Sequence, residues 1–276
     1  ELIFQTDKIE INSNQIFGNV NYIRNGESLD SISFSTNDIL LSYFPNQKKF
    51  LVKSPINTIN LYSNMRLKGD IYFDGHNMNG SGKLFNSNYL FNSSHHFFSN
   101  NSVMSADTYC QFFNLDSTII LETSSVSIEN NLNTDSIFIF SSISNFEMPS
   151  IQHTLYFDLL IIDMFQKSMS FSNNNPYKEG SLIAHHYRKK GLIYNSLEAS
   201  YDWNDNQFCV QSVFPIKAKK FLIQPDNNSF CFSSDGELPT FKNATIIKNR
   251  KLFKDKLINH VDATINSSLK LTWIKD

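Results

Sequence analysis

His153-Thr-Leu-Tyr-Phe-Asp-Leu-Leu-Ile-Ile-Asp163 is the stretch from which the fold is read. Aromatic and branched aliphatic residues dominate it, and the polar residues do not recur at the 3.6-residue spacing of an amphipathic helix. Leu155, Phe157, Leu159 and Ile161 oppose Tyr156, Leu160 and Ile162, which predicts one strand covered on both faces and placed centrally in a sheet. Ser136-Ile-Phe-Ile-Phe140 and Lys219-Lys-Phe-Leu-Ile-Gln224 have the same character, each bounded by residues that favour turns. The chain therefore reads as all-β, an elongated antiparallel β repeat of jelly-roll, β-groove or β-solenoid style with little helix.

Composition supports a packed structure. The 25 Phe and 11 Tyr stand against 9 Gly and 7 Pro, so many bulky rings must be buried, paired on a sheet face or arranged along a groove. A net charge of −2 supplies no cationic surface for phosphate, and the basic groups Lys48-Lys49, Arg188-Lys189-Lys190 and Lys219-Lys220 read as solvated turns or edge-strand guards. Nucleic acid is not an expected partner. Apolar runs stay well short of the roughly 18 residues a membrane-spanning helix needs. The chain opens at Glu1 without a signal-like segment, and the last residues read as a strand that stops without a turn, so it is expected to be a segment of something longer.

Short strand candidates recur from Ile9 to Phe171, separated by Asn, Gly and Ser turns. Ser172-Asn-Asn-Asn-Pro-Tyr-Lys-Glu-Gly180 is the strongest break, which predicts one β module over 1–172 and a second over 177–276 that continues the same architecture. In the second, Leu192–Tyr194 is expected to pair with Leu197–Tyr201, and Val261, Ala263 and Ile265 alternate as a late strand.

Chemical motifs are tested and set aside. Gly80-Ser-Gly-Lys83 lacks the earlier Gly and the following Ser or Thr of a phosphate loop and reads as a turn. His95-His96 and His185-His186 put neighbouring imidazoles on opposite sides of a strand, and no metal site is assigned. No Gly-x-Ser-x-Gly elbow supports a hydrolase. Cys110, Cys209 and Cys231 define no disulfide framework; a Cys209–Cys231 bridge is open, and small apolar residues beside Phe208, Phe230 and Phe232 are the favoured reading. Asp202 and Asp205 flank Trp203 beside Tyr201, which fits either a sugar-stacking platform with two carboxylates or an Asx turn over a packed Trp.

Two stretches carry a resemblance. Met104-Ser-Ala-Asp-Thr108, following a Gly-Ser-Gly-Lys-Leu-Phe strand, and the region from Leu197-Glu-Ala-Ser-Tyr-Asp202 to Phe241-Lys-Asn-Ala-Thr-Ile-Ile-Lys-Asn-Arg250 resemble a family of very large Bacteroidetes-type envelope proteins built from β repeats. The likeness covers about two thirds of the chain; segment 252–260 is more basic, and many aromatic positions carry Phe. The repeat style is similar to the jelly-roll modules that move lipid across the envelope of diderm bacteria, including the lipopolysaccharide-transport bridge. That resemblance implies a non-enzymatic segment without a cofactor, placed in the periplasm or at the outer membrane, with acyl chains or other envelope proteins as partners.

Three functional expectations follow. A lipid conduit would line an apolar face with Phe138, Phe140, Phe157, Leu159, Phe221 and Ile223, at about 0.8 kcal/mol per buried CH₂ of acyl chain. A purely structural spacer would fill that interior with its own side chains. A carbohydrate-binding β domain would use Tyr201, Asp202, Trp203 and Asp205.

Overall fold

The computed structural model describes residues 2–5, 9–12, 16–25, 34–53, 57–62, 64–74, 77–141, 145–173, 182–187, 192–219, 221–233, 240–248, 256–265 and 271–275. Among these every strand pairing is antiparallel, and the helical pieces are single 3₁₀ turns at Pro45–Gln47, Pro149–Ile151 and Asp226–Asn228. The all-β reading holds. The chain separates into two compact units, Glu1–Leu115 with Ser124–Asp135, and Asp116–Thr123 with Ser136–Asp276.

Unit 1 is an antiparallel meander. It runs through β1 (Leu2–Gln5), β2 (Glu10–Ile11), β3 (Ile16–Asn25), β4 (Phe34–Phe44), β5 (Lys49–Lys53), β6 (Ile59–Leu61), β7 (Met65–Asp74), β8 (Asn77–Phe85), β9 (Tyr89–Phe98) and β10 (Ser102–Phe113), with part of β11 (Ile119–Asn131). β5 and β6 together occupy one strand position, since both pair with β4 on one side and with β7 on the other. Leu67, Leu84, Phe91 and Cys110 form an inward row across four strands, all fully buried.

The long strands of this unit bend, and the bends stack in register. Gly69 of β7 faces Gly82 of β8, whose neighbour in β9 is Ser93, and His95 faces Ala106 of β10. At each later bend two successive residues point outward: Ser94 and His95 in β9, Ala106 and Asp107 in β10, Ser124 and Ser125 in β11. The side-chain alternation thus restarts in the opposite phase, and in β8, β10 and β11 one residue absorbs the kink at positive φ: Gly82 at 117°, Asp107 at 48°, Ser125 at 58°. Backbone groups turned out of the ladder here find side-chain partners. Ser93 Oγ donates to Ala106 O at 2.6 Å, and buried His96 donates from Nε2 to Gly82 O at 2.9 Å while its Nδ1 accepts from Ser105 Oγ at 2.7 Å. Gly80-Ser-Gly-Lys83 is therefore a strand with a bend in it, since a Cβ on Gly69 would lie 1.9 Å from the Ser81 carbonyl oxygen.

Unit 2 has short strands up to Ser233 and two longer ones after it. Its elements are β12 (Ser136–Phe140), β13 (Asn145–Met148), β14 (His153–Tyr156), β15 (Leu159–Asp163), β16 (Ser168–Ser172), β17 (Ile183–Tyr187), β18 (Leu192–Ser196), β19 (Glu198–Asp202), β20 (Gln207–Gln211), β21 (Ile216–Ala218), β22 (Phe221–Gln224), β23 (Phe230–Ser233), β24 (Phe241–Lys248), β25 (Lys256–Ile265) and β26 (Leu271–Lys275). One ladder runs β12–β15–β16–β19–β20–β23, and another runs β13–β14–β17–β18. Next to β18, Phe214 N–H donates to Asn195 O at 3.0 Å just before the chain enters β21–β22–β24–β25–β26. Successive strand pairs alternate between the ladders, whose inward rings meet: His153 lies 5.7 Å from Phe208 and 5.0 Å from Phe232 between ring centroids.

Three expectations change. The stretch 153–163 is two strands in different ladders, and the bend at Phe157-Asp158 switches the inward face, which is why apolar residues fall on both parities; Leu159 and Ile161 are half-buried on the outside of Leu160 and Ile162. β18 pairs with β17, and β19 pairs with β16 and β20, because the single residue Leu197 makes a bend and is too short for a hairpin. The break expected at 172–177 falls inside unit 2, where β14 pairs with β17 and β16 with β19 across it; its residues 174–180 lie outside the described ones. Gly69→Ala and Gly82→Ala are each expected to destabilise unit 1 by about 1–3 kcal/mol, measured as a lowered urea midpoint at unchanged slope.

Candidate functional site

Trp203 is 6% exposed. It follows β19 at the turn into β20, where Asp202 Oδ1 accepts the Asn204 and Asp205 backbone N–H groups at 2.8 and 3.2 Å, an Asx turn. Lys167 Nζ stands 5.1 Å from the centre of its ring, Tyr201 is buried with its hydroxyl donating to Asn206 Oδ1 at 3.0 Å, and Asp205 is exposed. A sugar platform needs an open ring face, and this ring has none; the four residues build a capped turn.

The six residues expected to line one apolar face divide between two. Phe138 and Phe140 oppose Ile161 and Leu159 on the outer side of β12 and β15, with Phe140 40% exposed. Phe157 and Ile223 are interior, and Phe221 is half-buried. They do not form a single trough. The interior is instead crossed by continuous rows, Ile137, Ile162, Met169, Tyr201, Phe208 and Phe232 in one ladder and Phe146, Leu155, His185 and Tyr194 in the other.

Two imidazoles sit inside this apolar layer. His153 donates from Nδ1 to Ile151 O at 2.8 Å, so its Nε2 accepts the Tyr194 hydroxyl at 3.0 Å. Ser196 Oγ donates to Glu198 O at 3.1 Å, which leaves it to accept from His185 Nε2 at 2.7 Å and leaves His185 Nδ1 an unprotonated nitrogen with no partner among the described residues. The His185 ring stacks on Tyr194 at 4.5 Å and 5°. Burial away from water disfavours the cation. It holds His153 down to about 4 and His185 well below the usual imidazole value, with His153 and His186 also opposing a charge on His185. Tyr194 is pushed up by the same burial.

These groups escape a motif search because His153, His185 and Tyr194 are far apart in sequence. The one available signal is parity: Ile183, His185 and Tyr187 alternate, so His185 faces in and His186 out, as the paired histidines led us to expect. Among the described residues no group of three or more His, Cys, Asp or Glu is placed to hold a metal ion, and no helix is long and apolar enough to cross a membrane.

Cys209 and Cys231 form a disulfide, against the favoured reading of isolated small residues. They face each other across β20 and β23, a pairing hidden in the sequence because β21 and β22 intervene in another ladder. Cys110 is buried and takes no part in that disulfide.

No protein-family model matches this chain, and neither a curated protein nor a solved structure is detectably similar to it. Two outcomes are expected from the interior geometry. Paired Cys209→Ser and Cys231→Ser replacement opens a loop with a separation of 22 residues, which should cost about 3 kcal/mol on the chain-entropy account, read from denaturant melts with and without reductant. Tyr194→Phe leaves His153 Nε2 a buried acceptor without a donor and should cost about 1–3 kcal/mol at pH 8, measured the same way.

Proposed function

We propose that this chain is a non-enzymatic structural β module of a bacterial cell-envelope protein, a spacer whose apolar face is its own closed core. One observation carries the reading: the inward rows of unit 2 are filled by the protein's own large side chains, with Ile137, Ile162, Met169, Phe208, Phe146 and Leu155 fully buried. An acyl chain needs an apolar trough that these side chains would have to vacate, and vacating one buried Phe costs about 3–5 kcal/mol before any ligand is bound. The Cys209–Cys231 bridge supports an oxidising compartment such as the periplasm. The resemblance to envelope β-repeat proteins supports the same placement.

The reading is distinguished from a lipid conduit by native mass spectrometry of the purified chain, followed by titration with a fluorescent fatty acid. A spacer is expected to carry no co-purifying acyl lipid, to leave the probe dark and to melt cooperatively. Co-purifying lipid that the probe displaces overturns the spacer. If that binding disappears in Phe157→Asp the conduit is the interior, and if it disappears in Phe140→Asp it is the outer face of β12 and β15.

A further inference from the structure

We propose that the paired interior histidines make unit 2 an acid-sensitive structure, in which protonation of His153 and His185 parts the two facing ladders while unit 1 keeps its fold.

The geometry explains why each proton is disruptive. His153 Nδ1 is committed to Ile151 O and its Nε2 accepts the Tyr194 hydroxyl, so a proton at Nε2 is held only if that buried hydroxyl gives up the bond it donates and turns to accept. His185 takes up a proton at Nδ1, a buried position with no hydrogen-bond partner among the described residues, so the new N–H would have nothing to donate to. The rings lie between the ladders: His153 faces Phe208 and Phe232 of the opposite ladder, and His185 faces Phe208. A cation at either place is thus set against aromatic groups of the other ladder with no counter-charge.

Among the described residues the interior offers no carboxylate to offset it. Facing inward from the elements packed around the pair are Phe146 and Met148 of β13, Leu155 of β14, Tyr187 of β17, Leu192, Tyr194 and Ser196 of β18, Met169 and Phe171 of β16, Phe208 and Val210 of β20, and Phe232 of β23. With Tyr201 of β19, which faces inward between Met169 and Phe208, the titratable groups here are three tyrosines, neutral in acid. Outside, His186 points to the opposite face of β17 and adds repulsion when protonated, and Glu147 of β13 lies in the same outer row across Thr154.

Among the described residues unit 1 has one comparable buried imidazole, His96, and it is built differently from His185. His96 donates from Nε2 to Gly82 O and accepts at Nδ1 from Ser105 Oγ, whose hydroxyl can turn and accept from a protonated ring. Both nitrogens of the His96 cation would keep partners.

The sign of the effect follows from linkage. A folded-state value below the unfolded one means that the unfolded chain binds more protons in the interval between them, so stability is complete above about pH 6.5 and is lost as the pH falls towards 4. At pH 4.5 the His153 step from 6.5 to about 4 weakens closure on the order of 100-fold, and His185 adds to it. Loss of this size opens the aromatic interior without any covalent change.

Hydrogen exchange followed by mass spectrometry on the full chain at pH 7.5 and 4.5, corrected for the intrinsic pH dependence of exchange, tests this. Protection in β14, β17, β18 and β20 is expected to fall on the order of 100-fold or more, reversibly on return to pH 7.5, while β8, β9 and β10 change by less than about tenfold. Equal loss in both sets of strands, or unchanged protection in β14 and β17, overturns the proposal. His185→Phe keeps the Ser196 bond to Glu198 O and removes the orphan nitrogen, so it should move the midpoint of the acid loss to lower pH; an unmoved midpoint overturns the part assigned to His185. The wild-type exchange map needs no variant, so it stands as a test even where His185→Phe does not fold.

Discussion

The bend within each strand is the constraint on which the rest of the structure depends. An antiparallel ladder can turn a corner only by taking some backbone groups out of register, and buried backbone groups without partners are costly. In unit 1 the cost is met by a row of small and polar residues laid in register from strand to strand: glycine where the chains approach too closely for a Cβ, serine where a displaced carbonyl needs a donor. The same device recurs in unit 2, where Ser196 donates to the carbonyl two residues ahead at the bend between β18 and β19, as Ser93 reaches the His95 carbonyl two residues ahead in β9. A bend also reverses which parity faces inward, so it fixes which side chains make up the core.

Once the strands bend, two ladders face each other, and in unit 2 the space between them is filled by aromatic and aliphatic rows. Stacked rings such as Phe146 on Phe157 at 3.9 Å and edge-on pairs such as Phe230 on Phe241 at 5.1 Å pack it with the protein's own groups. That filling is what the spacer we propose requires. Hydrogen bonding inside it suits neutral imidazoles, His185 above all, whose Nδ1 has no partner among the described residues, and this ties the integrity of the layer to proton concentration. The Cys209–Cys231 bridge fastens β20 to β23 in the ladder that supplies Phe208 and Phe232, the rings nearest His153.

Much of the secondary structure is legible in the sequence. Ser136–Phe140 is the strand its sequence predicts, Val261, Ala263 and Ile265 all face inward, and His95 and His185 part from their neighbours across the strand. What misleads is the apolar run 153–163: read as one strand it must be covered on both faces, whereas a bend at Phe157-Asp158 divides it between two ladders. The same hidden bends made Leu192–Tyr194 and Leu197–Tyr201 look like a hairpin and made six apolar residues from 138 to 223 look like one lining. At the turn 202–205 both readings of Asp-Trp-Asn-Asp used the same residues, and burial of the Trp203 ring separates them.

The sequence by itself determined the fold class, because alternation with period two and turn residues at short intervals are local properties that survive any arrangement of the strands. The tertiary structure alone decided which strands are neighbours, which face of each is interior, that Cys209 meets Cys231, and that His153, His185 and Tyr194 share one buried layer. The physical reason is that a single kinked residue reverses inside and outside for everything after it in the strand, and the residues that kink here, among them Asp107, Ser125 and Gly82, have nothing in their identity that sets them apart from the many Asp, Ser and Gly residues that simply turn.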